Sequence, residues 1–186
     1  PRIRAARRRH RRVGCRSAQR GVRGLPADVG FCALGHNLYA LGSSYSGACP
    51  VLSSLVSYGY LWNMVRVQGG AYGTGMNVRR SGDIFCYSYR DPNLDNTRAV
   101  FSNVADFIED FAAQGMPLDD IIIGAVNTTD PLLDPADVCE SQCVRALKGV
   151  TPEELAKTRH ELLATKPADL AAMAGVLRKY AREGKF

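Results

Sequence analysis

The stretch VRVQGGAYGTGMNVRRSGDIFCYSYRDPN, residues 65–93, decides the fold of this chain. Gly69 and Gly70 close whatever helix precedes them, as glycines do at helix C-termini. Two runs, 74–79 and 83–90, flank Arg80-Ser81-Gly82, a turn signal, and read as an antiparallel hairpin. In the second run Ile84, Cys86 and Ser88 share one face, and Phe85, Tyr87 and Tyr89 share the other. The tyrosines are expected to pack on the sheet. RDPN then breaks the strand, with Arg90 and Asp91 in a local turn.

Upstream, residues 47–67 read as a helix. Leu52, Leu55, Val56, Gly59 and Met64 recur near three- and four-residue spacing, Pro50 suits a first turn, and Trp62 reads as a core anchor between helix and sheet. Before it, residues 28–35 alternate Val29, Phe31 and Ala33 on one face, the pattern of a half-buried strand. Downstream, Val100, Phe101, Val104, Phe107, Ile108 and Phe111 form one apolar stripe, predicting a single helix over 95–113 that Gly115 and Pro117 close. A shorter helix is expected over 118–126. Asp134-Pro135 opens another, Thr151-Pro152-Glu153-Glu154 has the form of a capping box, and a last helix spans 168–182 with Leu170, Met173, Leu177 and Tyr180 on one face. The order is strand, long helix, hairpin, then several helices. That predicts an α+β fold: an antiparallel sheet covered by helices. Three strands make a small sheet, so edge strands are expected to be lacking.

The bulk composition hides an asymmetry. The net charge is +6, yet residues 1–24 hold ten arginines and no acid, while the rest carries 14 basic and 18 acidic residues. The expected organisation is an Arg-rich arm, 1–24, and one α+β domain, 25–186. The arm admits three readings: a disordered or non-homologous tail, a targeting peptide, or a nucleic-acid contact, the last being the least favoured. No apolar run is long enough to predict a membrane span. The six cysteines (15, 32, 49, 86, 139 and 143) show no zinc-ribbon pairing and read as free thiols; Cys139 and Cys143, four apart, share one side of a helix.

Several enzyme motifs are absent. His160-Glu161 begins a zinc-protease pattern, but Ala164 stands where the second histidine belongs, and His10 and His36 have no matching partner. The glycine-rich run GGAYGTG lies between a helix and a strand, whereas a phosphate loop needs the reverse order. What remains is Arg66, six residues before Tyr72. From spacing alone, Arg66 caps a helix whose dipole favours a cation there, and Tyr72 packs in a core. The functional alternative is that guanidinium and phenol both donate to a peptide carbonyl, and bind it more strongly as it becomes an oxyanion.

YLWNMVRVQGGAYG (60–73) followed by SYRDPN (88–93) resembles the C-terminal region of the presequence-protease branch of the insulinase-type zinc metallopeptidases. LPADVGFCALGHNLY (25–39) and GVTPEELAKTRHELLATKPADLAAMAGVLRKYAREG (149–184) are similar to the same region, so the resemblance covers all but the arm. It implies one domain of a clamshell of four related α+β domains. Zinc and its His-x-x-Glu-His motif would belong to the N-terminal half of the same protease, so no metal ligand is assigned here. Arg66 and Tyr72 would reach the peptide substrate, with Gly69 and Gly70 as the substrate loop. The implied function is the substrate-clamping part of a zinc metalloendopeptidase that degrades unstructured peptides, with this chain alone inactive. The alternative is a non-catalytic peptide-binding or structural subunit of the same fold. A bacterial cytoplasm is the expected compartment, a mitochondrial matrix the alternative.

Overall fold

A computed structural model describes residues 29–185. The Arg-rich arm, with His10 and Cys15, and the Asp28 start of the first expected strand lie outside the described residues. Three strands form one antiparallel sheet in the order β1-β3-β2: β1 is Gly30–Asn37, β2 Gly73–Val78 and β3 Asp83–Asp91. The hairpin pairs Val78 with Ile84 and Gly73 with Tyr89, and β1 pairs Asn37 with Asp83 and Phe31 with Tyr89. Lys185 adds a one-residue bridge to Gly35 on the outer edge of β1. Helices cover one sheet face, so the domain is α+β.

The covered face buries Cys32, Leu34, Met76, Ile84 and Cys86. This reverses the expected side of β1. Val29 and Phe31 are exposed, Phe31 by 58%. Both faces of the strand are apolar in sequence, and alternation cannot choose between them; pairing to β3 does, by placing Leu34 opposite the buried Cys86.

The helix expected over 47–67 has two parts. Helix α1 is Ala48–Ser54, and a π-helix, Leu55–Val67, continues it. Its wider i→i+5 turns rotate the buried face away from the α-helical prediction. Leu55, Val56, Leu61 and Val65 are buried, while Gly59 turns outward and Met64 is half-buried. The hairpin then returns beside this helix, where Ser57 Oγ accepts from Met76 N–H (2.8 Å) and Ser53 Oγ accepts from Val78 N–H (3.0 Å).

The expected 95–113 helix is broken at Asn103 into α2, Leu94–Ser102, and α3, Val104–Ala113. Its apolar stripe is nevertheless the buried one, with Phe107 and Phe111 packed at the margin. Asp91 is buried and accepts from Thr97 Oγ1 (2.6 Å) and Asn93 N–H (2.8 Å), so the RDPN turn is bolted to α2. Helix α4, Asp119–Thr129, precedes α5, Pro135–Leu147, whose N-cap Asp134 accepts from Ala136 and Asp137 N–H. Helix α6, Pro152–Leu163, starts with the complete capping box of Thr151 and Glu154. The last expected helix breaks at Met173 into α7, Pro167–Ala172, and α8, Ala174–Glu183.

Tyr180 on α8 is completely buried beneath the sheet. Its hydroxyl donates to the Leu34 carbonyl (2.7 Å) and accepts from Cys86 N–H (2.9 Å), bridging facing residues of β1 and β3. Burial raises the phenol above its ordinary range and pushes the Cys86 thiol up to about 12, so both stay protonated at neutral pH. Tyr180→Phe leaves two buried backbone groups short of a partner and is expected to destabilise the domain by about 1–3 kcal/mol, measured by urea denaturation with an unchanged m-value. Tyr60→Phe, whose half-buried hydroxyl makes one 3.3 Å bond to the Val100 carbonyl, is the control and is expected to cost less; equal losses would remove the bridge from its structural role.

Candidate peptide-binding cleft

The π-helix ends at Val67, and the chain must reverse direction at once to enter β2. Gly69 and Gly70 make this possible for different reasons. A Cβ on Gly69 would lie 2.6 Å from the Val65 carbonyl oxygen, and Gly70 adopts a φ of +81°. The turn is fixed by Gly70 N–H to the Arg66 carbonyl (3.0 Å) and Ala71 N–H to the Val65 carbonyl (3.1 Å). It brings Tyr72 back beside the helix end, where its N–H donates to the Tyr89 carbonyl (3.0 Å).

Over the seam between the π-helix and the outer edge of β2 lies an open cleft of about 570 Å³, on the uncovered side of the sheet. Ser57, Trp62 and Arg66 line one wall, Tyr72 and β2 the other, and Tyr87 and Tyr89 part of its floor. Arg66 and Tyr72 therefore face one space, as the sequence suggested. Neither is packed away: Tyr72 is 65% exposed. Among the described residues, neither the Arg66 guanidinium nor the Tyr72 hydroxyl hydrogen-bonds to another protein group. The guanidinium is held 4.0 Å over the Trp62 ring, a cation–π contact that positions it and leaves its N–H groups free.

Trp62 is thus not the core anchor expected; it is 39% exposed and serves as the platform for Arg66. The i,i+4 spacing of the two residues was the available signal. Tyr72 is held similarly. Its ring meets Tyr89 edge-on at 5.7 Å, Tyr89 meets Phe31 at 5.2 Å, and the Arg90 guanidinium lies 5.9 Å over Tyr72 and 5.7 Å over Tyr89. Arg90 takes a φ of +48°, the one non-glycine residue in that region among those described. Sequence reasoning placed Arg90 and Asp91 in a turn, whereas both end strand β3, which breaks only at Pro92; it also missed the contact of Arg90 with Tyr72. Tyr87 and Tyr89 do lie on the sheet, on its uncovered face.

At the far end of the cleft Tyr45 is half-buried; burial, then the Cys49 thiol, raises its phenol while the Arg80 guanidinium 5.2 Å from its ring opposes that shift. No three His, Cys, Asp or Glu side chains converge to hold a metal ion among the described residues, so the residues present do not form a zinc site. The thiols of Cys139 and Cys143 are exposed and free, while burial raises those of Cys32 and Cys49. No helix among the described residues is long and apolar enough to cross a membrane.

A family model described as the PreP C-terminal domain matches residues 22–185. Among curated proteins, the chain is 34% identical over 151 residues to presequence protease 1, chloroplastic/mitochondrial, of Arabidopsis thaliana, covering 81% of this chain and 14% of that protein. It is 33% identical over 156 residues to protein HypA of Clostridium perfringens, covering 84% and 16% respectively. Over 151 residues it is 31% identical to the mitochondrial presequence protease of Emericella nidulans, covering 81% and 14%. The chain thus spans 14–16% of the length of these relatives.

Gly69→Ala drives a Cβ into the helix backbone and is expected to destabilise the domain by about 1–3 kcal/mol while loosening the Arg66–Trp62 pair. Urea denaturation and Trp62 fluorescence, in the chain's only tryptophan, measure both; a variant with wild-type stability and spectrum would show that the turn adapts.

Proposed function

The chain belongs to the presequence-protease C-terminal-domain family, and on that premise we propose that its cleft clamps an unstructured peptide while a zinc metalloendopeptidase cleaves it. The observation carrying this reading is the pairing of two unsatisfied donors, Arg66 and Tyr72, on one open cleft, each held by an aromatic contact and not by a hydrogen bond. Donors held that way keep their N–H and O–H groups available. They can meet a peptide carbonyl, and they strengthen as negative charge develops on its oxygen, because a preorganised donor does not have to reorient during reaction.

In this reading zinc, which activates the attacking water, belongs to an N-terminal half outside this sequence. The residues of this chain only bind, orient and stabilise. Gly69 and Gly70 are the substrate loop: they set the reversal that brings Arg66 and Tyr72 to the same space. The partners are the peptide and that N-terminal half. The described domain, 29–185, would be the clamping unit, with the Arg-rich arm separate from it. The organellar names of the Arabidopsis and Emericella relatives favour a mitochondrial matrix; the clostridial relative suits a bacterial cytoplasm.

In the full-length protease that carries this domain, Arg66→Ala is expected to lower turnover at saturating peptide by roughly 10²-fold, the range for one oxyanion donor. Tyr72→Phe, which keeps the ring packing on Tyr89, isolates the hydroxyl. Unchanged turnover in both variants, with weaker peptide binding, would assign the cleft to binding alone and favour the non-catalytic reading.

A further inference from the structure

A second cavity, of about 400 Å³, adjoins the cleft at the end away from Arg66. Tyr45 and Thr129 line both, so the two spaces share a wall. Its charged lining is Arg80, Arg145 and Arg159 against one acid, Asp130, leaving a formal excess of two positive charges over an apolar floor of Leu155 and Leu162. The arginines differ in how they are engaged. Arg159 is paired with Asp130. Arg80 donates to Thr158 Oγ1 (2.8 Å) and lies over the Tyr45 ring. Arg145, half-buried near the end of α5, has no carboxylate partner among the described residues. Glu161, on the neighbouring α6, is turned away to accept from Gly47 N–H (2.9 Å). An unpaired guanidinium beside a positioned one suits a bidentate oxyanion.

The cleft leads from the clamp to this cavity. Val78, the last residue of β2, lies six residues beyond Tyr72, which directly precedes the strand, ~20 Å at a rise of ~3.3 Å per residue. An extended peptide covers that distance with about six residues. Every linear peptide has one anionic group whatever its side chains, its C-terminal carboxylate. A basic N-terminus placed in the same cavity would be repelled.

We infer that the Arg80–Arg145–Arg159 cavity binds the C-terminal carboxylate of a peptide lying in the cleft, about six residues beyond the Arg66–Tyr72 clamp. The inference rests on the cleft being the peptide's path. It gives the peptide a direction, with its C-terminus toward Arg80, and turns the cleft into a ruler that measures from a free end.

The test uses the whole 186-residue chain and an unstructured, N-terminally labelled octapeptide, prepared as free acid and as C-terminal amide, with binding read by fluorescence anisotropy; inorganic phosphate is the third probe. The acid is expected to bind about tenfold more tightly than the amide, the scale of one charge-assisted hydrogen-bonding pair. Arg145→Gln should erase that difference without changing the affinity of the amide. Arg66→Ala should weaken both forms equally and keep their ratio. Equal binding of acid and amide to the wild type, with both weakened by Arg66→Ala, overturns this inference and leaves the proposed function standing. Phosphate binding that is lost in Arg145→Gln, beside equal acid and amide affinities, assigns the cavity to free phosphate and overturns the peptide assignment. Failure of both peptides to bind overturns both readings.

Discussion

One phenol holds this domain in register. A tyrosine fully buried beneath a sheet would be a liability if its hydroxyl were unpaired, since an orphaned polar group in the interior costs more than a made bond returns. Tyr180 resolves this by standing between facing backbone groups of β1 and β3, donating to one strand and accepting from the other. The geometry admits α8 at only one height and one azimuth. Helix α3 is tied to α8 in turn, because the Arg178 guanidinium reaches both Asp106 (2.8 Å) and Glu109 (2.5 Å), though these exposed pairs orient more than they stabilise. With β3 fixed from below, its hairpin partner β2 is fixed too, and with β2 the strand wall of the cleft.

The other wall depends on the π-helix. Its i→i+5 turns are a poorer use of hydrogen bonds than an α-helix, and such segments persist where something else is gained. Here the gain is a division of faces. Leu61 and Val65 go inward, Ser57 meets the edge of β2, and Trp62 with Arg66 are left on the rim. The reversal through Gly69 and Gly70 then joins the two walls beside the Ser53 and Ser57 bonds to β2, and Arg66 and Tyr72 line one space.

Signals with a local cause were readable in the sequence. The hairpin turn, the caps at Asp134 and Thr151, the break at RDPN and the closing glycines each follow from a few neighbouring residues, and each is found where expected. The failures share a different cause. The choice of face on β1 depended on what β3 offered across the sheet. The breaks at Asn103 and Met173 occur without glycine or proline, in the middle of apolar stripes that continue unchanged on the other side. The π-helical register has no composition signature, and with it went the correct surroundings of Trp62. At the cleft, Arg66 and Tyr72 line one space, but what holds them there was not legible: the Trp62 platform and the Tyr89–Arg90 contacts are tertiary facts.

The serine hydroxyls on β2 have a further consequence. A free strand edge ordinarily invites another chain to extend the sheet. At Met76 the Ser57 hydroxyl accepts from the N–H and donates to the carbonyl (3.2 Å), and at Val78 Ser53 takes the N–H, so two side chains on neighbouring helical turns imitate an adjoining strand. The Met76 and Val78 N–H groups are therefore not available for a main-chain ladder with a further strand. The helix thus caps the strand edge that the sheet leaves open, and does so with two hydroxyls in place of a fourth strand.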